Sequence, residues 1–384
     1  MKFEIFVCLF ATTIMSAVLT PFIRILAFKI GAIDKPNKRR VNKIPMPTLG
    51  GLAILIAYTV TTCVFLRNQI PSSKLWGILG GELIIVMTGI IDDIFVLKPR
   101  QKVIGISLAA LWVYIFAGIQ VSSVTLPVLG NIQLGWLSLP LTWIWILGIT
   151  NSINLIDGLD GLATGVAIIA LTTMGIIALF FLNVDNIYVS IMIFTFAAAC
   201  LGFLPYNFFP ARIYLGDTGS LLIGFKISVF SLQGLKNATF ISVIIPVVIL
   251  GVPISDTAYA ILRRLLNKQP ISHADKHHLH HRLMQIGLTH RQTVLVIYGI
   301  ALIFAFISLL YPLSSFWGSI LLTVATLIGI ELFVEAIGLV GKNRQPLLNL
   351  IKRVVTGTTS KSNHEIEVTK MKAKNKAKQN NKKE

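Results

Sequence analysis

Charge is scarce in this chain. Asp, Glu, Lys and Arg make up 13% of its 384 residues, against roughly 25% in soluble domains. So little charge excludes an ordinary soluble globule. Acids are the scarcer sign, 16 against 34 Lys+Arg, for a net charge of +18. Cysteine is nearly missing. Cys8, Cys63 and Cys200 stand singly in apolar runs, which excludes a disulfide framework and a cysteine zinc site. No stretch of soluble-domain composition and no internal repeat interrupts the pattern.

What the chain has instead is apolar sequence, 54% of the total. Runs of about 20 apolar residues recur and predict membrane helices. Eleven spans are expected: 3–28, 48–66, 74–91, 103–119, 138–154, 161–182, 187–204, 218–235, 239–262, 292–311 and 315–340. The expected class is therefore all-α, a polytopic membrane protein. The first run is too long for a signal-peptide core and lacks a small-residue cleavage site, so it counts as a helix. Residues 1–340 form the expected membrane domain. Residues 341–384 form a Lys/Asn-rich tail, expected to be disordered. From 342 onward it holds 12 of the 34 Lys+Arg and +9 of the net charge. Such a tail suits contact with anionic lipid headgroups.

Lys and Arg also orient the chain. With the N-terminus outside, the inner connections carry clusters such as Lys29–Lys43, Lys98–Lys102 and Arg263–Arg291, while the outer ones keep Lys2, Arg67, Lys74 and Lys236. The asymmetry predicts N-terminus out and C-terminus in, and it accounts for the basicity without nucleic acid. Every polar motif then falls on the cytoplasmic side. On the outer side, Val121–Trp136 alternates around Gly130-Asn131 and predicts a small β-hairpin.

The densest motif is Asn151–Gly165, NSINLIDGLDGLATG. Asn151, Asn154, Asp157 and Asp160 recur at a spacing of three, which puts them on one face if the helix continues. Acids and amides at the mouth of a membrane helix are costly unless they meet water, protein or a ligand. Asp92 and Asp93 end the third span. Adjacent carboxylates repel, so a metal ion or a basic group is their natural partner. Asp217 lies in a Gly-Asp-Thr-Gly-Ser turn that opens a helix, where free amides bind anions and the acid can hold a cation. Asn207 and Tyr214, in the same stretch as Arg212, could contact a base or a sugar. Six of the seven histidines fall between His273 and His290. His277 and His281 have an i,i+4 spacing that leaves zinc open. The favoured reading is phosphate contact through the imidazoles and Arg282. Five oxygen-only acids beside histidines and basic residues suit magnesium or manganese and a phosphorylated substrate.

Together these motifs resemble the polyprenyl-phosphate N-acetylhexosamine-1-phosphate transferases. The likeness runs over roughly residues 20–340 and rests on PTLGG at Pro47–Gly51, Asp92-Asp93, NSINLIDGLDGLATG, LGDTGS and HLHHRL at His278–Leu283. The His run is similar to that of the amino-sugar branch rather than the pentapeptide-sugar branch. The resemblance implies transfer of GlcNAc-1-phosphate from UDP-GlcNAc to undecaprenyl phosphate, releasing UMP, in a bacterial cytoplasmic membrane. It implies Asp217 as a Mg2+ ligand, with Mn2+ as a substitute, and Asp92 or Asp93 activating the lipid phosphate while the other, Asp93 in that assignment, helps the metal. Asn151, Asn154, Asp157, Asp160, Asn207 and Arg212 would line the nucleotide-sugar site, with Lys43 nearby and Tyr214 stacked on uracil. His278, His280, His281 and Arg282 would hold the diphosphate. A homodimer through a lipid-facing helix is consistent with the resemblance, and so is a product that begins a wall teichoic acid linkage unit.

Two other classes were weighed. A transporter or lipid flippase would use the intramembrane charges Lys226, Asp256, Glu331 and Glu335. It should also show repeated halves, which this chain lacks. A CDP-alcohol phosphatidyltransferase needs further Asp residues soon after Asp160, but the next acid is Asp185. Asp256 is expected to pair with Lys226.

Overall fold

The computed structural model describes residues 2–34, 45–126, 130–181, 187–233, 238–270, 278–339 and 345–356. It is mostly helical. The chain divides into two compact units, residues 1–322 and 323–384.

Helix α8, Gly216–Gln233, is the axis of the first unit, buried continuously from Thr218 to Leu232. A helix apolar around nearly its whole circumference needs neighbours on every side. Its principal neighbours are α2 (Gly50–Thr61), α3 (Ser72–Phe95) and α5 (Ser138–Ile156). Outside them pack α1 (Lys2–Ile30), α4 (Pro99–Phe116), α6 (Leu162–Phe181), α7 (Ile187–Asn207) and α12 (His290–Leu310). Glycines set the closest approaches. A Cβ on Gly51 would strike the backbone of Gly219, and one on Gly89 would strike that of Thr218. The first amides of α2 donate to carbonyls just ahead of α8, Gly50 N to Tyr214 O at 3.1 Å and Gly51 N to Leu215 O at 3.2 Å. The PTLGG motif thus docks one helix start against another.

Among the described residues, six helices are long and apolar enough to cross a membrane, or seven if a bent pair counts as one. α1 shows why a membrane is required: Phe3, Phe6, Phe10, Val18 and Phe22 are all exposed, an apolar surface far beyond what a soluble protein tolerates. The bent pair is a departure from expectation. The run at 239–262 is not one straight span. It is α9 (Phe240–Ile249) and α10 (Gly251–Leu266), set at 85°. Pro246 lies within α9, and Gly251 gives room to the Phe304 ring of α12.

Strands β3 (Ser123–Leu126) and β4 (Gly130–Gln133) pair antiparallel, with Leu126 opposite Gly130. Residues 127–129, between the two strands, lie outside the described residues. A third strand, β5 (Ala238–Thr239), joins β3 in parallel. A separate short pair, β1 (Ile33–Asp34) and β2 (Met46–Pro47), leads into α2.

The second unit holds the end of α13 (Phe316–Ile337) and α14 (Pro346–Thr356). Helix α14 lies within the stretch expected to be disordered, so that expectation is corrected for residues 346–356. The rest of the tail, beyond 356, lies outside the described residues.

Candidate active site

The polar motifs converge where α3 and α5 end and where α4, α6 and α8 begin. Asp93 makes the central connection. Its carboxylate accepts the N–H of Asp217 at 2.9 Å, the N–H of Thr218 at 3.0 Å and the hydroxyl of Thr218 at 2.6 Å. An acid at a helix N-terminus satisfies orphan amides and meets the positive end of the dipole. The start of α8 is therefore not free to take an anion, as its sequence suggested. Asp93 already occupies it, with both carboxylate oxygens committed. Asp93 therefore braces the start of α8.

Asp92 points along a different line. Its Oδ1 accepts the N–H of Leu97 at 2.7 Å, and its Oδ2 pairs with the ammonium of Lys102. The same Nζ reaches Asp217 Oδ1 at 3.0 Å. Lys102 thus bridges two carboxylates that would otherwise repel. The same Oδ1 accepts from the Asn154 amide at 2.5 Å, and that amide also donates to Ser220 Oγ at 2.8 Å.

Helix α5 ends at Ile156, and Asp157 caps it outside helical geometry, at φ −76° and ψ 52°. The repeat of three is therefore one helical face only as far as Asn154. Gly161, at φ +76°, turns the chain into α6, a conformation that favours glycine. Asp157 faces the acid cluster. Burial raises its carboxyl well above the usual range, and the charges of Asp217, Asp93 and Asp160 add to the rise. Gly158 gives room to the His280 ring, whose Nε2 would lie 2.6 Å from a Cβ there.

Other residues of the motif hold the frame. Asp160 Oδ2 accepts the N–H of Ala211 at 3.0 Å, and its own N–H donates to His290 Nε2 at 3.0 Å. Asn207 is buried. Its carbonyl oxygen accepts from Thr164 Oγ1 at 2.8 Å and its amide donates to Ile213 O at 3.2 Å. Expected to line the sugar site, Asn207 instead ties the start of α6 to the segment before α8. Asn151 donates to Leu147 O at 2.8 Å within its own helix.

The histidines form a second layer. His278 caps α11 (Leu279–Gln285). Asp256 of α10 holds that start through His278 Nδ1 and the Leu279 N–H, both at 2.8 Å. The expected Asp256–Lys226 pair does not form. Lys226 binds Glu82 Oε1 at 2.5 Å and the Tyr58 hydroxyl at 2.9 Å. His280 is buried and stays neutral, its pKa lowered to about 3 chiefly by burial and then by His281. A neutral ring offers one donor and one acceptor, not a cation for a diphosphate. His281 lies half-buried beside it, ring centroids 4.2 Å apart. Arg282 is half-buried and donates to Gln285 Oε1 at 3.1 Å. Tyr214 is half-buried, and Arg212 is exposed. Lys43, His273 and His277 lie outside the described residues, so the i,i+4 pair proposed for zinc cannot be placed.

The sequence reading missed Lys102 as a site residue and counted it only toward orientation. Ten positions and a helix break separate it from Asp92, so no spacing rule linked them. It also missed Thr218 and Ser220, although GDTGS contains both.

Among the described residues, no three His, Cys, Asp or Glu side chains already converge to hold an ion. The donor chemistry nonetheless fits a hard cation. Asp217 and Asp157 offer oxygen only, and their mutual repulsion is an unmet demand for positive charge.

The chain is similar to known proteins over most of its length. The family model described as glycosyl transferase family 4 matches residues 75–235. A probable undecaprenyl-phosphate N-acetylglucosaminyl 1-phosphate transferase of Bacillus subtilis is 43% identical over 340 residues, covering 88% of this chain and 93% of that protein. A decaprenyl-phosphate N-acetylglucosaminephosphotransferase of Mycobacterium tuberculosis is 34% identical, covering 74% and 77%. A phospho-N-acetylmuramoyl-pentapeptide-transferase of Clostridium perfringens is 28% identical, covering 77% and 92%.

Proposed function

This chain belongs to glycosyl transferase family 4, and from that premise we propose that it transfers GlcNAc-1-phosphate from UDP-GlcNAc to undecaprenyl phosphate. The products are undecaprenyl-diphospho-GlcNAc and UMP. The observation that carries the reading is the acid cluster around Asp217, bridged by Lys102 and braced by Asp93. A lipid phosphate and a nucleotide diphosphate bring several negative charges to one place. Cations there stabilise the transferring phosphoryl group.

In this reading Asp217 and Asp157 would hold Mg2+, which when bound would supply positive charge against the diphosphate. Lys102 lies within reach of the same phosphates once they displace it from the carboxylates. Asp92, released by that movement, is the group to take or hold the lipid-phosphate proton. Asn154 fixes Asp217 in place. Asp93 and Asp160 hold the loops, and neutral His280 offers a directional hydrogen bond rather than charge.

The proposed setting is a bacterial cytoplasmic membrane, with eleven spans, the N-terminus and the hairpin outside, and the acid cluster and basic tail inside. The tail rests on anionic headgroups, the protein is a homodimer, and the product starts a surface glycan such as a teichoic acid linkage unit. Three charges behind the transporter reading have structural partners. Lys226 is neutralised by Glu82, Asp256 is held by His278, and Glu335 caps α14.

The test is UMP release by the purified protein from UDP-GlcNAc and undecaprenyl phosphate, with and without Mg2+. Release that needs both lipid and metal supports the reading. No release from any nucleotide sugar overturns it.

A further inference from the structure

Helix α14 is held at its start by an acid that is not its own. Its first residue, Pro346, carries no N–H. The next two amides, Leu347 N and Leu348 N, donate to Glu335 Oε1 and Oε2 at 2.9 and 2.7 Å. Gln345 Nε2 closes the connection onto Glu335 O at 2.9 Å. Glu335 is 3% exposed. The carboxylate thus satisfies orphan donors and meets the helix dipole at once. An acid near the end of a long apolar helix fixes where a second helix begins.

That second helix is two-sided. Leu347, Leu348, Leu350, Ile351, Val354 and Val355 fall at i, i+1, i+3, i+4, i+7 and i+8 and share one half of the circumference. Asn349, Lys352 and Arg353 fall on the other half. Within the apolar set, Leu350 is 56% exposed and Ile351 43%. Eleven residues make a helix too short to persist in water by propensity alone, so the face needs a seat. Lysines continue after it: Lys361, Lys370, Lys372, Lys374, Lys376, Lys378, Lys382 and Lys383. An apolar face, a basic face and a basic continuation, nine residues beyond the end of a membrane-length helix, are complementary to an anionic bilayer surface.

We propose that α14 lies in the plane of the membrane on an anionic phospholipid surface, anchored at its start by Glu335. Its apolar face, with Leu350 and Ile351, sits at the acyl boundary. This seat does not depend on the proposed reaction.

The test uses the full chain in lipid nanodiscs of phosphatidylcholine, with or without phosphatidylglycerol. The half-exposed Cys63 is replaced by Ala; Cys8 and Cys200 are buried and do not label. A nitroxide is placed at Ile351→Cys or, on the opposite face, Asn349→Cys. Collision with oxygen reports lipid, and collision with a water-soluble nickel chelate reports solvent. The expected result is oxygen access at 351 and nickel access at 349, differing by about twofold or more and increasing with phosphatidylglycerol. Equal nickel access at both positions overturns the proposal, because the helix is then in water. Shielding of 351 from both probes overturns it too, because the face is then covered by protein. A contrast indifferent to phosphatidylglycerol removes the anionic lipid. Glu335→Gln, with unchanged elution of the particle, should reduce the contrast; an unchanged contrast removes Glu335 as the anchor.

Discussion

Helices α3 and α8 meet through charges at two places, and the two are opposites. Near the middle, Glu82 faces Lys226, one acid to one base, both fully buried. The Tyr58 hydroxyl oxygen accepts from the same ammonium and its ring face lies against it, and Phe196 and Phe230 enclose it. At the end, Asp92 and Asp93 of α3 face Asp217 of α8, with Asp157 close by and Lys102 between. The first site is neutral and sealed. The second gathers four carboxylates about one ammonium, and Asp217 there remains partly open. A pair that balances itself has no use for a ligand. A cluster that does not balance holds a standing demand for one.

The sharpest break of this comparison is Asp217→Asn. It should lower turnover about 10³-fold or more, by analogy with removing one electrostatic stabiliser, while the melting temperature in detergent holds or rises. UMP release and thermal denaturation, run together, check it. Wild-type turnover would take Asp217 out of the mechanism.

Glu82→Gln should do the reverse. It leaves Lys226 buried and unpaired, costing about 3–5 kcal/mol of stability. Glu82→Gln combined with Lys226→Met should recover most of that loss, since a buried pair replaced as a unit is often neutral. If the double variant melts as low as the single one, the site is more than a balanced pair.

Lys102→Met comes next. It strips the bridging cation from Asp92 and Asp217 and should reduce turnover about 10²-fold, a loss of about 2.7 kcal/mol in transition-state terms. The variant should also require more Mg2+ for half-maximal rate. An unchanged metal requirement would show that Lys102 and the metal act apart.

The smallest effect is expected from Asp157→Asn on the metal-free protein. The raised pKa means the folded state holds this proton more tightly than the unfolded chain does. Stability from this group is therefore present at low pH and declines as pH rises above the ordinary carboxylate pKa of about 3.9. The amide removes that decline. The variant should melt about 2–4 °C higher near neutral pH, as a gain of about 1 kcal/mol would produce, and its melting temperature should vary less with pH. A lower melting temperature would mean that the Asp157 charge is already compensated.

How much of this was legible beforehand depended on how local the chemistry was. Asp92-Asp93, Asn154, Asp157 and Asp217 announced themselves because charged residues beside apolar runs need a reason. Asp93 could not be told from Asp92, because which neighbour caps α8 depends on how two helices dock. Pairing was misread for the same reason. Asp256 and Lys226 lie in consecutive spans, but His278 claims the acid and Glu82 the base. The bend between α9 and α10 was hidden because hydropathy runs straight through it. Glu335 had no visible purpose until α14 appeared beside it, and α14 is too short and too basic to read as a span.

The Glu82–Lys226 pair also has a history in time. The two residues are 144 positions apart, so at roughly 5–20 residues per second the ribosome delivers the lysine about 7–30 s after the acid. During that interval α3 exists without the charge that completes it. A buried acid without its counter-charge costs about 3–5 kcal/mol. The middle of α3 is therefore completed only when α8 arrives. The arrival that closes the middle of the molecule also brings Asp217 to Asp93, so the reactive end is assembled only when the chain is more than half made.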